Sequence, residues 1–279
     1  MLLKRKIAQF MRPKNAINWK KRIAITSSDK SCQDLPKVVN AGEVERWNGA
    51  PVQIMHNGLR VYAGCYYGDN MIKIIKNLKG HHEPQEEKIF YEILNHIPDE
   101  AVMIEVGSFW AYYSLWFSHE KPLRKNFLIE PVGWKARIGQ LNFELNGKNI
   151  EVDRYYIQDP DLDIIKTASV CDDASINAKP IKIDDYIAMK ELAHVDILHA
   201  DIQGAELELL RGAEKSLKNK IIDVLFVATH GDKHYKCREF LTNINYQIIA
   251  EHDIAQASAA DGLLVAVSEN ATIDLKTLK

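Results

Sequence analysis

The sequence predicts an α/β protein built on an open, mostly parallel sheet of seven strands with helices on both faces. Three observations carry that prediction. From Ala101 onward, short apolar runs alternate with stretches of helical period, the pattern of repeated βα units. The run Ala101–Val106, broken only by Glu105, turns at Gly107-Ser108 straight into an amphipathic segment, AYYSLWF. A buried parallel strand reads this way where it feeds a helix and its backbone N–H groups face a ligand. Lastly, the apolar runs Tyr246–Ala250 and Gly262–Val267 have no helix between them, so the last strand is antiparallel. The arrangement is Rossmann-like, with a hairpin where a dinucleotide fold continues its crossovers.

Composition fits a sizeable core. Of 279 residues, 46% are hydrophobic and 27% charged, enough for one α/β domain and an appendage. The net charge of −2 conceals an asymmetry, because residues 1–22 hold eight Lys and Arg and no acid. That segment, with Leu2, Leu3, Ile7, Phe10 and Met11, reads as a solvated tail or as an amphipathic contact with a membrane surface. No run is long enough for a signal-peptide core or a membrane span. Cys32, Cys65, Cys171 and Cys237 are scattered without a CxxC pair, which argues against a disulfide framework or zinc site and suits a reducing, cytoplasmic setting. No nucleic-acid partner is expected, and the oligomeric state is left open.

Taken in order, residues 1–37 are the basic tail and a polar linker, and 38–97 an N-terminal cap. Within the cap, His56-Asn57-Gly58 between two apolar runs signals a hairpin. Asn70–Leu78 reads as a short helix. A second helix opens at Pro84, with Glu83, Glu86 and Glu87 at its positive end and Ile89, Phe90, Ile93, Leu94 and Ile97 inward. His81, His82 and Glu83 are metal-ligand types, but three adjacent residues cannot all face one ion, so they read as helix-start chemistry. Residues 98–270 form the main domain and 271–279 a C-terminal tail. After the first βα unit come strands at Asn126–Glu130, Ile150–Ile157, Val195–Ala200 and Ile221–Thr229. Helices fall at Val132–Asn146, Ile183–Lys190, Ala205–Ser216 and His234–Asn243, and Asp159–Asn177 reads as loop.

Open α/β sheets bind ligands at the carboxyl ends of their strands, so the residues found there are the candidates. The first turn supplies one glycine, Gly107, where a dinucleotide fingerprint needs three. A nucleoside ligand without a pyrophosphate fits it better. Glu105 is an acid inside an apolar strand and requires a partner. Glu130 ends the second strand where two ribose hydroxyls would donate to it. Asp201, Gln203, Gly204 and Glu206 follow the fourth strand and His230 the fifth. Glu206 serves equally as a helix cap, while His230 and Asp201 are the candidate bases.

The segments EVGSFWAYYSLWF, LIEP followed by Asn142 and Asn146, IDDYI, HADIQGAELELLRGAE and DGLLVAV together resemble the FkbM-type S-adenosylmethionine-dependent methyltransferases. HHEPQEE also looks like a segment of that family, and the resemblance spans about residues 50–268. It implies a class I methyltransferase fold, S-adenosyl-L-methionine as cofactor, and O-methylation of a small-molecule or glycan acceptor. Carried over by position, Glu105, Gly107 and Ser114 line the methionine end, Glu130 holds the ribose and Asp201 sits beside the sulfonium and the acceptor. Ser108, Tyr113, Pro131 and Gln203 complete the expected cofactor-binding set, His230 and Asp201 are the expected catalytic pair, and no metal ligand is expected. The family's first motif usually carries a second glycine, and this chain has Ser108 and Ala111 at the small positions. That departure keeps two other readings in play: a catalytically silent scaffold and, further off, a nicotinamide-dependent oxidoreductase.

Overall fold

The computed structural model describes residues 18–158, 178–259 and 261–271. The basic segment proposed to touch a membrane therefore lies outside the described residues up to position 17, as does the loop 159–177. None of the described helices is long and apolar enough to cross a membrane. The chain divides into two compact units. One runs up to Lys88 and takes back the segment at Ser258; the other runs from Ile89 to Ala257 and resumes at Asp261.

The first unit carries a helix, Trp19–Ser28, and an antiparallel sheet of β1 (Val44–Trp47), β2 (Ala50–Ile54) and β3 (Arg60–Tyr62). The hairpin expected at Asn57-Gly58 joins β2 to β3, with Asn57 Oδ1 accepting the Leu59 N–H at 3.2 Å. A second hairpin, β1 to β2, was not anticipated although its signal is plain. Asn48-Gly49 sits between Trp47 and Ala50 with φ of 48° and 82°, as a two-residue turn between right-twisted strands requires. The helix Gly68–Asn77 follows, and then a helix spanning Pro84–Leu94.

His81, His82 and Glu83 organise the start of that last helix. Glu87 Oε1 accepts the backbone N–H groups of His82 (2.7 Å) and Glu83 (3.0 Å), while Oε2 takes His81 Nδ1. His82 lies between Glu83 (3.1 Å) and Glu87 (2.6 Å) with almost no exposure. Burial alone would lower its pKa, but the two carboxylates prevail and push it up to about 10. Burial raises Glu87, and the two histidines overcome this and hold it well below the ordinary carboxylate range.

The second unit is organised by a seven-stranded sheet in the order β11-β12-β10-β9-β4-β5-β6. Its members are β4 (Val102–Val106), β5 (Lys125–Ile129), β6 (Val152–Asp153), β9 (Val195–Ala200), β10 (Ile222–Thr229), β11 (Tyr246–His252) and β12 (Gly262–Ser268). The five strands from β10 through β9, β4 and β5 to β6 are parallel, and β12 lies between β10 and β11, antiparallel to both. The expected seven strands and antiparallel last strand are therefore present, with helices on both faces. One face packs Ile104, Val106, Leu198 and Leu225 under Leu207, Leu210 and Tyr186. The opposite side of the sheet carries an aromatic layer in which Phe90 meets Tyr113, Trp116 and Phe226 edge-on.

Two elements depart from the sequence reading. The third strand, expected over Ile150–Ile157, breaks at Arg154 into β6 and β7 (Tyr155–Ile157), and β7 pairs with β8 (Lys179–Ile181) in a separate sheet. Arg154 turns its guanidinium onto the Pro131 carbonyl, 2.7 and 3.1 Å away, where the chain leaves the main sheet. The helix expected over Ala205–Ser216 is two, Glu206–Gly212 and Glu214–Lys218. Asp184 accepts the N–H groups of Lys215 and Ser216 and so caps the second as a new helix.

The histidine network predicts a pH dependence with a definite sign. A pKa raised from 6.5 means that His82 stabilises the fold fully below pH 6.5 and loses that contribution as pH rises through about 10. Glu87, depressed, contributes above about pH 4.5 and loses this as pH falls through its lowered value. Urea unfolding of His82→Gln should show about 3–5 kcal/mol less stability at pH 6, because two buried carboxylates lose their cation. The gap to the parent protein should narrow towards pH 10; a gap independent of pH would remove His82 from this role.

Candidate functional site

The site is built at the carboxyl ends of β4, β5, β9 and β10. Gly107 leaves β4 with φ of 79°, and a methyl group on it would stand 2.0 Å from the Asp201 carbonyl oxygen. The ends of β4 and β9 meet across this contact, and the Asp201 N–H donates to the Val106 carbonyl at 3.0 Å. The N–H groups of Gly107 and Ser108 both reach back to Ile129 at the end of β5 (2.8 and 3.2 Å). One glycine thus draws three strand ends together. The turn continues with Phe109 at φ 39° and Ala111 at 58°, left-handed conformations reached without glycine.

Both glutamates are tied to backbone in this turn. Glu105 Oε2 accepts the Ser114 N–H (3.1 Å) at the start of the helix Tyr112–Phe117. Glu130 Oε2 accepts the Phe109 N–H (3.2 Å) and Oε1 the Val132 N–H (2.8 Å), just before the helix Gly133–Leu145. Burial raises the Glu130 pKa above the usual carboxylate range, against Lys135 and the two backbone donors. Ser108 and Ser114 are buried, and Pro131 is held through its carbonyl by Arg154. Tyr113 lies in the aromatic layer, its ring 4.2 Å from that of His199.

Asp201 and Gln203 follow β9, and His230 follows β10. Gln203 Nε2 donates to Asp201 Oδ1 at 3.0 Å. His230 meets three carboxylates: Nδ1 lies 2.6 Å from Glu206 Oε1, and Nε2 lies 3.1 Å from Asp261 Oδ1 and 3.6 Å from Asp201 Oδ1. Burial lowers its pKa, and the hydrogen bonds to Asp261 and Glu206, with the charges of Asp201 and Asp261, more than reverse this, to about 11. His230, expected as a candidate base, thus sits among carboxylates that favour its protonated form at neutral pH. The same Gln203 amide nitrogen lies 2.9 Å from His230 Nε2, so it stands between the imidazole and Asp201.

Glu206 and Asp261 extend the expected set. Glu206 is fully buried and spends one oxygen on both Gly204 N–H (2.7 Å) and His230, so cap and functional contact are the same bond. Asp261 had no assigned role. It precedes β12, whose first residue, Gly262, pairs with Thr229 at the end of β10. An antiparallel strand begins where its parallel neighbour ends, and that places Asp261 on the same rim.

The sheet order and the convergence of carboxylates at its carboxyl rim define a Rossmann-like enzyme of the class I methyltransferase type. The Methyltransferase FkbM domain family matches residues 92–248, and the chain belongs to that family. It is a methyltransferase that uses S-adenosyl-L-methionine. No curated protein matches it. Solved structures with a distant likeness include M. capricolum TrmK in complex with S-adenosyl-homocysteine (13% identity, TM-score 0.43, covering 65% of this chain and 68% of that one). A precorrin-6y C5,15-methyltransferase from Geobacter metallireducens has 14% identity and a TM-score of 0.40, over 66% of this chain and 87% of its own. A SAM-dependent methyltransferase from Aquifex aeolicus has 12% identity and a TM-score of 0.38, over 65% and 88%.

The first turn yields a paired prediction. Gly107→Ala should cost about 3 kcal/mol or more, since the new methyl meets backbone and the φ is strained. Ala111→Gly should change stability by no more than about 1 kcal/mol, because relief of the left-handed alanine offsets the added freedom of the unfolded chain. Urea unfolding measures both, and equal effects would mean that the turn is not pinned at Gly107.

Proposed function

We propose that the enzyme is an O-methyltransferase of the cytoplasm, acting on a hydroxyl of a saccharide, glycoconjugate or secondary metabolite. The observation that carries this reading is the meeting of Asp201, His230 and Asp261 beside the turn at Gly107. An alcohol is a weak nucleophile until its proton has a place to go, and a carboxylate poised at the rim offers one. In the proposed arrangement Glu105, Gly107, Ser108, Tyr113 and Ser114 surround the methionine end of the cofactor, while Glu130 and Pro131 face the ribose. Asp201 and Gln203 lie near the sulfonium, where carboxylate charge matches its positive charge.

Asp201 is then the base and His230 its charged neighbour. S-adenosylmethionine, when bound, would supply the methyl group to the acceptor oxygen, its sulfur keeping the electron pair of the broken carbon–sulfur bond. The hydroxyl proton passes to Asp201. Such an in-line displacement depends above all on holding the two reactants in register, and strand ends fixed by backbone hydrogen bonds supply that rigidity.

Calorimetry with S-adenosylhomocysteine tests the cofactor assignment. Glu130→Gln should weaken binding at least about tenfold while the far-UV spectrum stays unchanged; full affinity would take Glu130 out of the site. The acceptor class is tested by incubation with methyl-labelled S-adenosylmethionine and a panel of hydroxyl, amine and thiol acceptors. Label should appear on hydroxyls and fall about a hundredfold in Asp201→Asn. Transfer confined to nitrogen or sulfur would reject the O-methyltransferase reading.

A further inference from the structure

We infer that Asp201, His230 and Asp261 form a binding site for a divalent cation at the acceptor end of the cleft, a deepening that rests on the methyltransferase reading above. One ligand atom from each of the three residues lies within 4.8 Å of the others. The separations of His230 Nε2 from Asp261 Oδ1 (3.1 Å) and Asp201 Oδ1 (3.6 Å) are those of neighbouring ligands around an ion with bonds of about 2.1 Å. Two carboxylates and one imidazole suit an ion that takes both oxygen and nitrogen ligands.

Two independent features support the assignment. Metal-bound histidines usually donate their other ring N–H to a carboxylate, which fixes tautomer and orientation. His230 does this: Nδ1 is 2.6 Å from Glu206, a fully buried residue, and Nε2 is thereby turned to the two aspartates. The second feature is a buried polar atom: the other Glu206 oxygen has no hydrogen-bond partner. A divalent cation in place of the imidazole proton adds positive charge beside it.

The three side chains keep between 16% and 29% exposure, so the ion would have open positions for solvent and an acceptor hydroxyl. That is the pattern of a catalytic site, whereas a structural one closes its shell. A bound cation lowers the pKa of a hydroxyl on it and fixes its direction towards the methyl group. The hydroxyl proton still leaves to the free oxygen of Asp201 and then to water, so the reaction balances as before.

The test is calorimetric titration of the full chain, freed of metal by chelator, with MnCl₂ in the absence of cofactor and acceptor. One Mn²⁺ should bind per chain. Asp261→Asn should weaken it at least tenfold, and Glu206→Gln, which acts on the site through His230, about 10–100-fold. Absence of Mn²⁺ binding by the parent chain, or binding that Asp261→Asn leaves intact, overturns the inference; the parent titration decides even where a variant does not fold. A separate titration with S-adenosylhomocysteine, run without metal, distinguishes failure of the cation site from failure of the methyltransferase reading.

Discussion

The contact on which the rest of the second unit depends is the one between Gly107 and the Asp201 backbone. β4 and β9 are neighbours in the middle of the sheet, and side chains on both would normally hold their ends apart. With no Cβ on Gly107, the Asp201 carbonyl comes as close as backbone allows, and the Asp201 N–H closes the ladder on Val106. The same glycine and Ser108 bond to Ile129, so β5 is drawn in as well. The meeting of strand ends at this rim is therefore a property of backbone geometry, and the acids around it are carried on rigid supports.

What those supports carry is an excess of negative charge. Glu105 and Glu130 accept backbone N–H donors at the starts of two helices, and at Glu130 burial still outweighs those donors and raises the pKa. Asp201, Glu206 and Asp261 instead converge on one imidazole. The two halves of the rim thus differ in kind: the acids of the β4–β5 half are held by backbone N–H groups, and those of the β9–β10 half meet around a side-chain imidazole.

Much of this was legible in the sequence. Glu105 stands near the end of an apolar run and Glu130, Asp201 and His230 each follow one, so a parallel sheet places them near one rim whatever the details of packing. Asp261 was not legible in the same way: it precedes its strand, and only the antiparallel entry of β12 beside β10 carries it to the others. The protonation of His230 was hidden for a related reason. Its three partners come from the end of β9, the helix after it and the start of β12, and sequence spacing gives no distance between them. The break at Arg154 depends on a side chain finding the Pro131 carbonyl, 23 residues away, which no local pattern encodes.

The missing glycine of the first turn also has a physical resolution. Phe109 and Ala111 hold left-handed conformations that glycine would hold without strain, at a cost of about 1–2 kcal/mol each. Their cost is offset by contacts that fix this one shape: Glu130 accepts the Phe109 N–H, and Asn142 donates to the Trp110 carbonyl at 2.8 Å. The space that a glycine in the loop would have provided comes from the facing helix. A methyl at Gly139 would stand 3.0 Å from the Phe109 carbonyl oxygen and 3.1 Å from Ala111 Cβ. A small residue on the helix that packs against the loop, Gly139, thus gives the turn room for its close approach.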